Sequence, residues 1–114
     1  MLLALHYSFR KIDNFIISLD EDIQENLVQQ VYLKQCELFS FPNWLERLLN
    51  LTHINISYNV IGKIPSEISL LQNLAFLDVS NNCITTIPVE LFDLKNLTYL
   101  DLGGNFIEKI PRGK

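Results

Sequence analysis

A chain of 114 residues with 48% hydrophobic content has material for one domain with a modest core. A net charge of −4 and a pI near 5.0 argue against nucleic acid or an anionic membrane as the main partner. The apolar run at the start, Leu2-Leu3-Ala4-Leu5, is far too short to span a bilayer. It also lacks the basic flank and extended apolar stretch of a secretory signal, so a soluble cytoplasmic chain is expected.

Residues 1–27 are the least regular. Asn14, Ile16, Leu19 and Ile23 are spaced N-x-I-x-x-L-x-x-x-I, a pattern that returns as the second half of each later unit. The first half, around His6 to Lys11, shows no strand signature. The expectation is a degenerate, slightly shortened capping repeat that closes one end of the core. Tyr7, Phe9, Ile12 and Phe15 would fill it. The acidic cluster Asp20, Glu21, Asp22 and Glu25 reads as a solvated convex face or helix start rather than a docking site for a basic partner.

A regular pattern begins at Val28. Residues 28–50 place Val28, Val31, Leu33, Cys36, Leu38, Phe41-Pro42, Leu45 and Leu48 where residues 51–73 and 74–96 place their own apolar set. Leu51, Leu74 and Leu97 open successive units; Ile54, Leu77 and Leu100 follow, then Ile56, Val79 and Leu102. Asn59, Asn82 and Asn105 come next, then Ile61, Ile84 and Ile107, and each unit carries Ile-Pro at 64–65, 87–88 and 110–111. The last unit, 97–114, is incomplete. The L-x-L alternation predicts a short strand with its apolar side chains on one face. Asparagines stacked at the turn would form a ladder satisfying buried peptide groups. The residue before proline avoids the helical region, so Ile-Pro sets an extended return. The stretches SEISLLQN and VELFDLKN predict a short helical turn or extended segment each, and Trp44 is expected to pack on the convex side between turns.

This pattern, L-x-x-L-x-L-x-x-N-x-L-x-x-I-P over residues 28–111, resembles the leucine-rich repeat in its 23-residue intracellular form. It is similar to the repeat regions of Ras-pathway scaffolds and of phosphatase regulatory subunits. The resemblance implies an α/β solenoid: short parallel strands on the concave face, short helical turns or extended segments on the convex face. It also implies a concave face that binds protein. Projected there, one column reads Gln30, His53, Phe76, Tyr99; the next reads Tyr32, Asn55, Asp78, Asp101; a third, nearer the turn, reads Gln35, Tyr58, Asn81, Gly104. Tyr32, His53, Asn55, Tyr58, Phe76, Asp78, Tyr99 and Asp101 are the candidate protein-binding residues, since rigid rings bury area at low entropic cost. For Asp78 and Asp101 the plainer reading is repeat filler.

Other chemistry finds little support. Asp78 and Asp101 would lie roughly 5 Å apart on adjacent strands, but on an open surface with no nucleophile–base pair beside them. No Gly-rich phosphate loop and no metal-ligand spacing occur, so no catalytic, cofactor or metal residues are expected. Cys36 and Cys83 would stand roughly 10 Å apart, beyond the ~7 Å reach of a disulfide. Cys36, in the asparagine column, reads as a buried structural thiol. The sequons at Asn50 and Asn96 are what the repeat spells at its junctions, and a glycan on the third, at Asn55, would block the concave face. Leu97, Leu100, Leu102, Ile107 and Ile110 would present an uncovered edge, open to self-association. The functional expectation is a cytoplasmic adaptor or scaffold that binds a protein partner. Its rivals are a piece of a larger multidomain protein carrying a kinase, GTPase or ubiquitin-ligase domain, and an extracellular recognition domain.

Overall fold

Apolar residues at a period of two form strands that turn one side inward, and the chain does this once per unit. The structure, a computed structural model, describes residues 3–8 and 28–111. Five strands, β1 (Leu3–Ser8), β2 (Val28–Lys34), β3 (His53–Asn55), β4 (Phe76–Asp78) and β5 (Tyr99–Asp101), pair in chain order in one parallel sheet. From β2 onward the register is the repeat itself. Val31, Ile54, Leu77 and Leu100 stand opposite one another, flanked by Gln30, His53, Phe76, Tyr99 and by Tyr32, Asn55, Asp78, Asp101. The expected solenoid is what the chain adopts.

The return path is equally periodic. Pro42, Pro65 and Pro88 hold the chain extended, with ψ of 120°, 154° and 143°, before 3-10 turns at Asn43–Arg47, Ser66–Leu70 and Val89–Asp93. Proline has no N–H to lose there and its φ is already set. Each turn buries its third residue or its neighbours: Trp44 and Leu45, Ile68, and Leu91. Trp44 is thus a packing residue of the convex side. No described helix is long and apolar enough to cross a membrane.

The asparagine column forms the expected ladder. Asn59 donates from Nδ2 to the carbonyls of Leu33, Ile56 and Ser57, while its Oδ1 accepts from Cys36 N at 2.9 Å and Leu38 N at 3.0 Å. Asn82 repeats this with Ile56, Val79, Ser80 and Ile61 N; Asn105 repeats it with Val79, Leu102, Gly103 and Ile84 N. Each amide therefore binds its own unit to the one before it. Cys36 is buried in the same column, and neither it nor the exposed Cys83 is in a disulfide.

Two features differ from the sequence reading or extend it. Leu3–Ser8 is a strand, where the region from His6 showed no strand signature. Its pairing explains the miss: Leu5 stands opposite Val31, an offset of 26 residues with an irregularity between Leu3 and Ala4, against 23 for every later pair. The unit is longer than expected, not shorter. The capping segment beyond this strand, with Phe9, Ile12, Phe15, the Asn14–Ile23 pattern and the acidic cluster 20–25, lies outside the described residues. At the other end, Leu51, Ile54, Ile56 and Ile61, like Leu74, Leu77, Val79 and Ile84, are wholly buried, whereas Leu97, Leu100, Leu102 and Ile107 are only partly so. Ile110 is 58% exposed. Stacking covers one side of β5 and leaves the other bare.

Candidate functional site

Alternation puts the odd side chains of each strand on the open face, and the fixed register lines them up across it. The column that begins at Gln30 continues as an aromatic stack. His53 and Phe76 lie 5.4 Å apart between ring centroids at 23°, and Phe76 and Tyr99 lie 4.3 Å apart at 4°. Parallel pairing at about 4.8 Å forces identical side-chain positions into this spacing, so flat rings in one column must stack. The His53 ring is held from its flank as well. The Thr52 hydroxyl donates to Gln29 O at 3.1 Å, so its 2.9 Å contact with His53 takes the Nδ1 hydrogen and leaves Nε2 as the acceptor.

The neighbouring column is divided between structure and display. Asn55 Oδ1 accepts from Ser57 N and Oγ, Asp78 Oδ1 accepts from Ser80 N at 2.9 Å, and Asp101 Oδ1 accepts from Gly103 N at 2.9 Å. One oxygen of each side chain thus fixes the turn that follows its strand, which is the filler role. The second Asp101 oxygen accepts from the Tyr99 hydroxyl at 3.5 Å. Tyr32 donates its hydroxyl to Gln30 Oε1 at 3.2 Å, tying the first strand's two candidates together.

The third column turned out to be a backbone feature. Gln35, Tyr58, Asn81 and Gly104 all have positive φ, between 55° and 66°. Asn and Gly suit that region; a bulky Tyr does not. At Gly104 a side chain is also excluded sterically, because a Cβ would run into the side chain of Asn81. Tyr58 is half exposed, with Lys34 Nζ 5.1 Å from its ring centroid, a cation–π contact that carries the site to the rim. Lys34, the last residue of β2 and two places beyond Tyr32 on the same alternation, was missed because sequence reading followed that side of the strand no further than Tyr32.

The electrostatics centre on Tyr99. Its phenol titrates above the ordinary 10.0, chiefly through loss of local solvent, then through repulsion of the phenolate by Asp101 and Asp78, then through the bond to Asp101. The neutral phenol is favoured in the fold, so this contribution is constant below about pH 10 and is lost as pH rises through the raised value. Asp101→Asn keeps the turn-fixing oxygen and removes the charge. It is expected to lower the Tyr99 pKa, read from the pH dependence of its ring signals by NMR; an unchanged value would mean that the carboxylate does not act on the phenol. Among the described residues no group of three or more His, Cys, Asp or Glu is placed to hold a metal ion.

Comparison with known proteins matches this geometry to a family. Residues 49–107 match the family model described as leucine rich repeat. A leucine-rich-repeat protein of Leptospira interrogans superposes with a TM-score of 0.73 at 31% identity, over 75% of this chain and 22% of that one. A chain from the BIR3–SERK2 complex of Arabidopsis thaliana superposes with a TM-score of 0.64 at 30% identity, over 73% of this chain and 49% of that one. The chain therefore spans less than half the length of either. No curated protein sequence matches it.

Proposed function

Because the chain belongs to the leucine-rich repeat family, we propose that its concave sheet docks a protein partner and that it works as an adaptor or scaffold module in the cytoplasm. The observation that carries this reading is the His53–Phe76–Tyr99 stack. Preordered rings present contact area that loses little freedom on binding. Asn55, Asp78 and Asp101 run beside it in the next column and supply polar rim contacts. The solved relative taken from a two-protein complex supports protein recognition in general. An exposed free thiol at Cys83 suits a reducing compartment. Catalysis, nucleic-acid binding and membrane binding form no part of the reading. A second reading, that these repeats serve within a larger multidomain protein, is supported by the 22% and 49% shares of the solved chains that they match.

The test is affinity capture from cell extract with the wild-type chain and with the triple variant His53→Ala/Phe76→Ala/Tyr99→Ala, whose fold is checked by circular dichroism. Proteins retained by the wild type and lost by at least tenfold from the folded variant support concave-face docking. An identical set of captured proteins on both would overturn it.

A further inference from the structure

The return path carries one backbone bridge of its own. Lys63 bridges Thr86 in parallel fashion, joining the second and third units of residues 28–96. Among the described residues no matching bridge joins Ser40 to Lys63 or Thr86 to Lys109, one repeat to either side. The first unit takes positive φ twice, at Gln35 and Glu37, where each later unit takes it once. Leu38 nonetheless keeps the repeat's course: its carbonyl accepts from Val60 N as those of Ile61 and Ile84 accept from Cys83 N and Phe106 N. Phe39 is 77% exposed, in the outward column that continues as Gly62 and Thr85.

Beside Phe39, Gly62 leaves room for a cavity. A Cβ placed on it would meet nothing within 4 Å, so the floor between Phe39 and Thr85 is bare. The resulting notch has a volume of about 530 Å³, with Phe39 and Phe41 along its apolar side and Glu46 and Lys63 among its polar groups. Sites of roughly 300–1,000 Å³ with apolar walls and a few polar groups are the size that holds small ligands and large side chains. One acid and one base give no net charge, which favours a neutral occupant. The exposed face of Phe39 favours a planar ring, which stacks.

We propose that this notch is a socket for one aromatic side chain with a polar edge, tryptophan or tyrosine, presented by a protein partner. An indole or phenol places its ring against Phe39 over the bare Gly62 floor and its N–H or O–H toward the polar groups. Tyr58 and Val60, both half exposed, lie four and two residues before Gly62 in the chain, so one partner reaches both the concave rim and the socket. The socket rests on the reading of the chain as a protein-docking module, but it binds through different residues.

The test is two-dimensional NMR of the full chain titrated with N-acetyl-L-tryptophanamide and, separately, N-acetyl-L-leucinamide. The tryptophan probe is expected to shift Phe39, Gly62, Thr85 and Thr86 at millimolar concentration, at least fivefold more tightly than the leucine probe. Gly62→Leu fills the floor, and the residue lacks the positive φ of Gly104, so it is expected to fold and to weaken the probe at least tenfold. Phe39→Ala, at an exposed position, provides the same loss by removing the stacking wall. Shifts that are absent, equal for both probes, or unaffected by both variants overturn the socket. The variant Phe76→Ala/Tyr99→Ala is expected to leave these shifts in place. If they persist while captured proteins are unchanged by the concave triple variant, the socket stands and the concave reading fails; if they are absent while capture is lost, the reverse holds.

Discussion

Asn82→Ala is expected to destabilise the chain by about 4 kcal/mol. Asn82 is 3% exposed, and its amide serves four backbone groups in two units. The four do not suffer equally. Ile56 O keeps Asn59 Nδ2, Val79 O keeps Asn105 Nδ2, and Ser80 O keeps Tyr58 N. Ile61 N has only Asn82 Oδ1, at 3.1 Å. Alanine therefore orphans one buried N–H, which costs about 1–3 kcal/mol, and removes three further bonds worth about 1 kcal/mol each before relaxation. Domains of this size are stable by only about 5–15 kcal/mol, so the variant is expected to be largely unfolded at 37 °C. Urea denaturation measures the difference. A loss under about 1 kcal/mol would mean that the ladder is an ornament of the turn. Asn105→Ala should cost less, because Asn105 is only half buried.

Leu77→Ala and Leu100→Ala are expected to differ by about 2 kcal/mol although they remove the same atoms from the same column. Leu77 is wholly buried between neighbouring units, and its loss should cost about 3 kcal/mol. Leu100 is covered from one side only, so part of its transfer energy was never gained, and about 1 kcal/mol is expected. The comparison also probes self-association through the β5 edge. A second copy seated there would bury Leu100, raise its cost toward that of Leu77, and make the denaturation midpoint rise with protein concentration. Equal costs for the two variants at the lowest workable concentration would show that this edge is already closed.

How much of this was legible in the sequence depends on which force set each feature. Columns such as Ile54–Leu77–Leu100 and Asn59–Asn82–Asn105 were readable because stacking demands the same residue type at the same place in each unit. Strand β1 was not found, though Leu3 and Leu5 alternate, because its offset is 26 and not 23. Backbone pairing does not care how long the intervening loop is; a search at fixed period does. The aromatic stack followed from the columns, since His53, Phe76 and Tyr99 share one. The column of Gln35, Tyr58, Asn81 and Gly104 was read as side chains on a face, yet its constraint is a positive φ. Asn81 and Gly104, the two residues that tolerate that region, were the signal. The notch had a signal too: a phenylalanine in the column that holds Gly62 and Thr85. The second left-handed residue, at Glu37, is by contrast a property of the backbone that no side-chain pattern announces.

The asparagine ladder has a direction, and this bears on how the chain is made. Asn59 serves the backbone at Leu33, Cys36 and Leu38, Asn82 serves Ile56 and Ile61, and Asn105 serves Val79 and Ile84. Among the described residues the units 28–50, 51–73 and 74–96 are each stapled by the asparagine of the unit that follows, never by that of the unit before. On a ribosome, which releases the N-terminal units first, a newly emerged unit has only water for these peptide groups, and cannot bury them without cost, until the next asparagine follows it out. The ordered stack must therefore trail the nascent chain by one unit of the register.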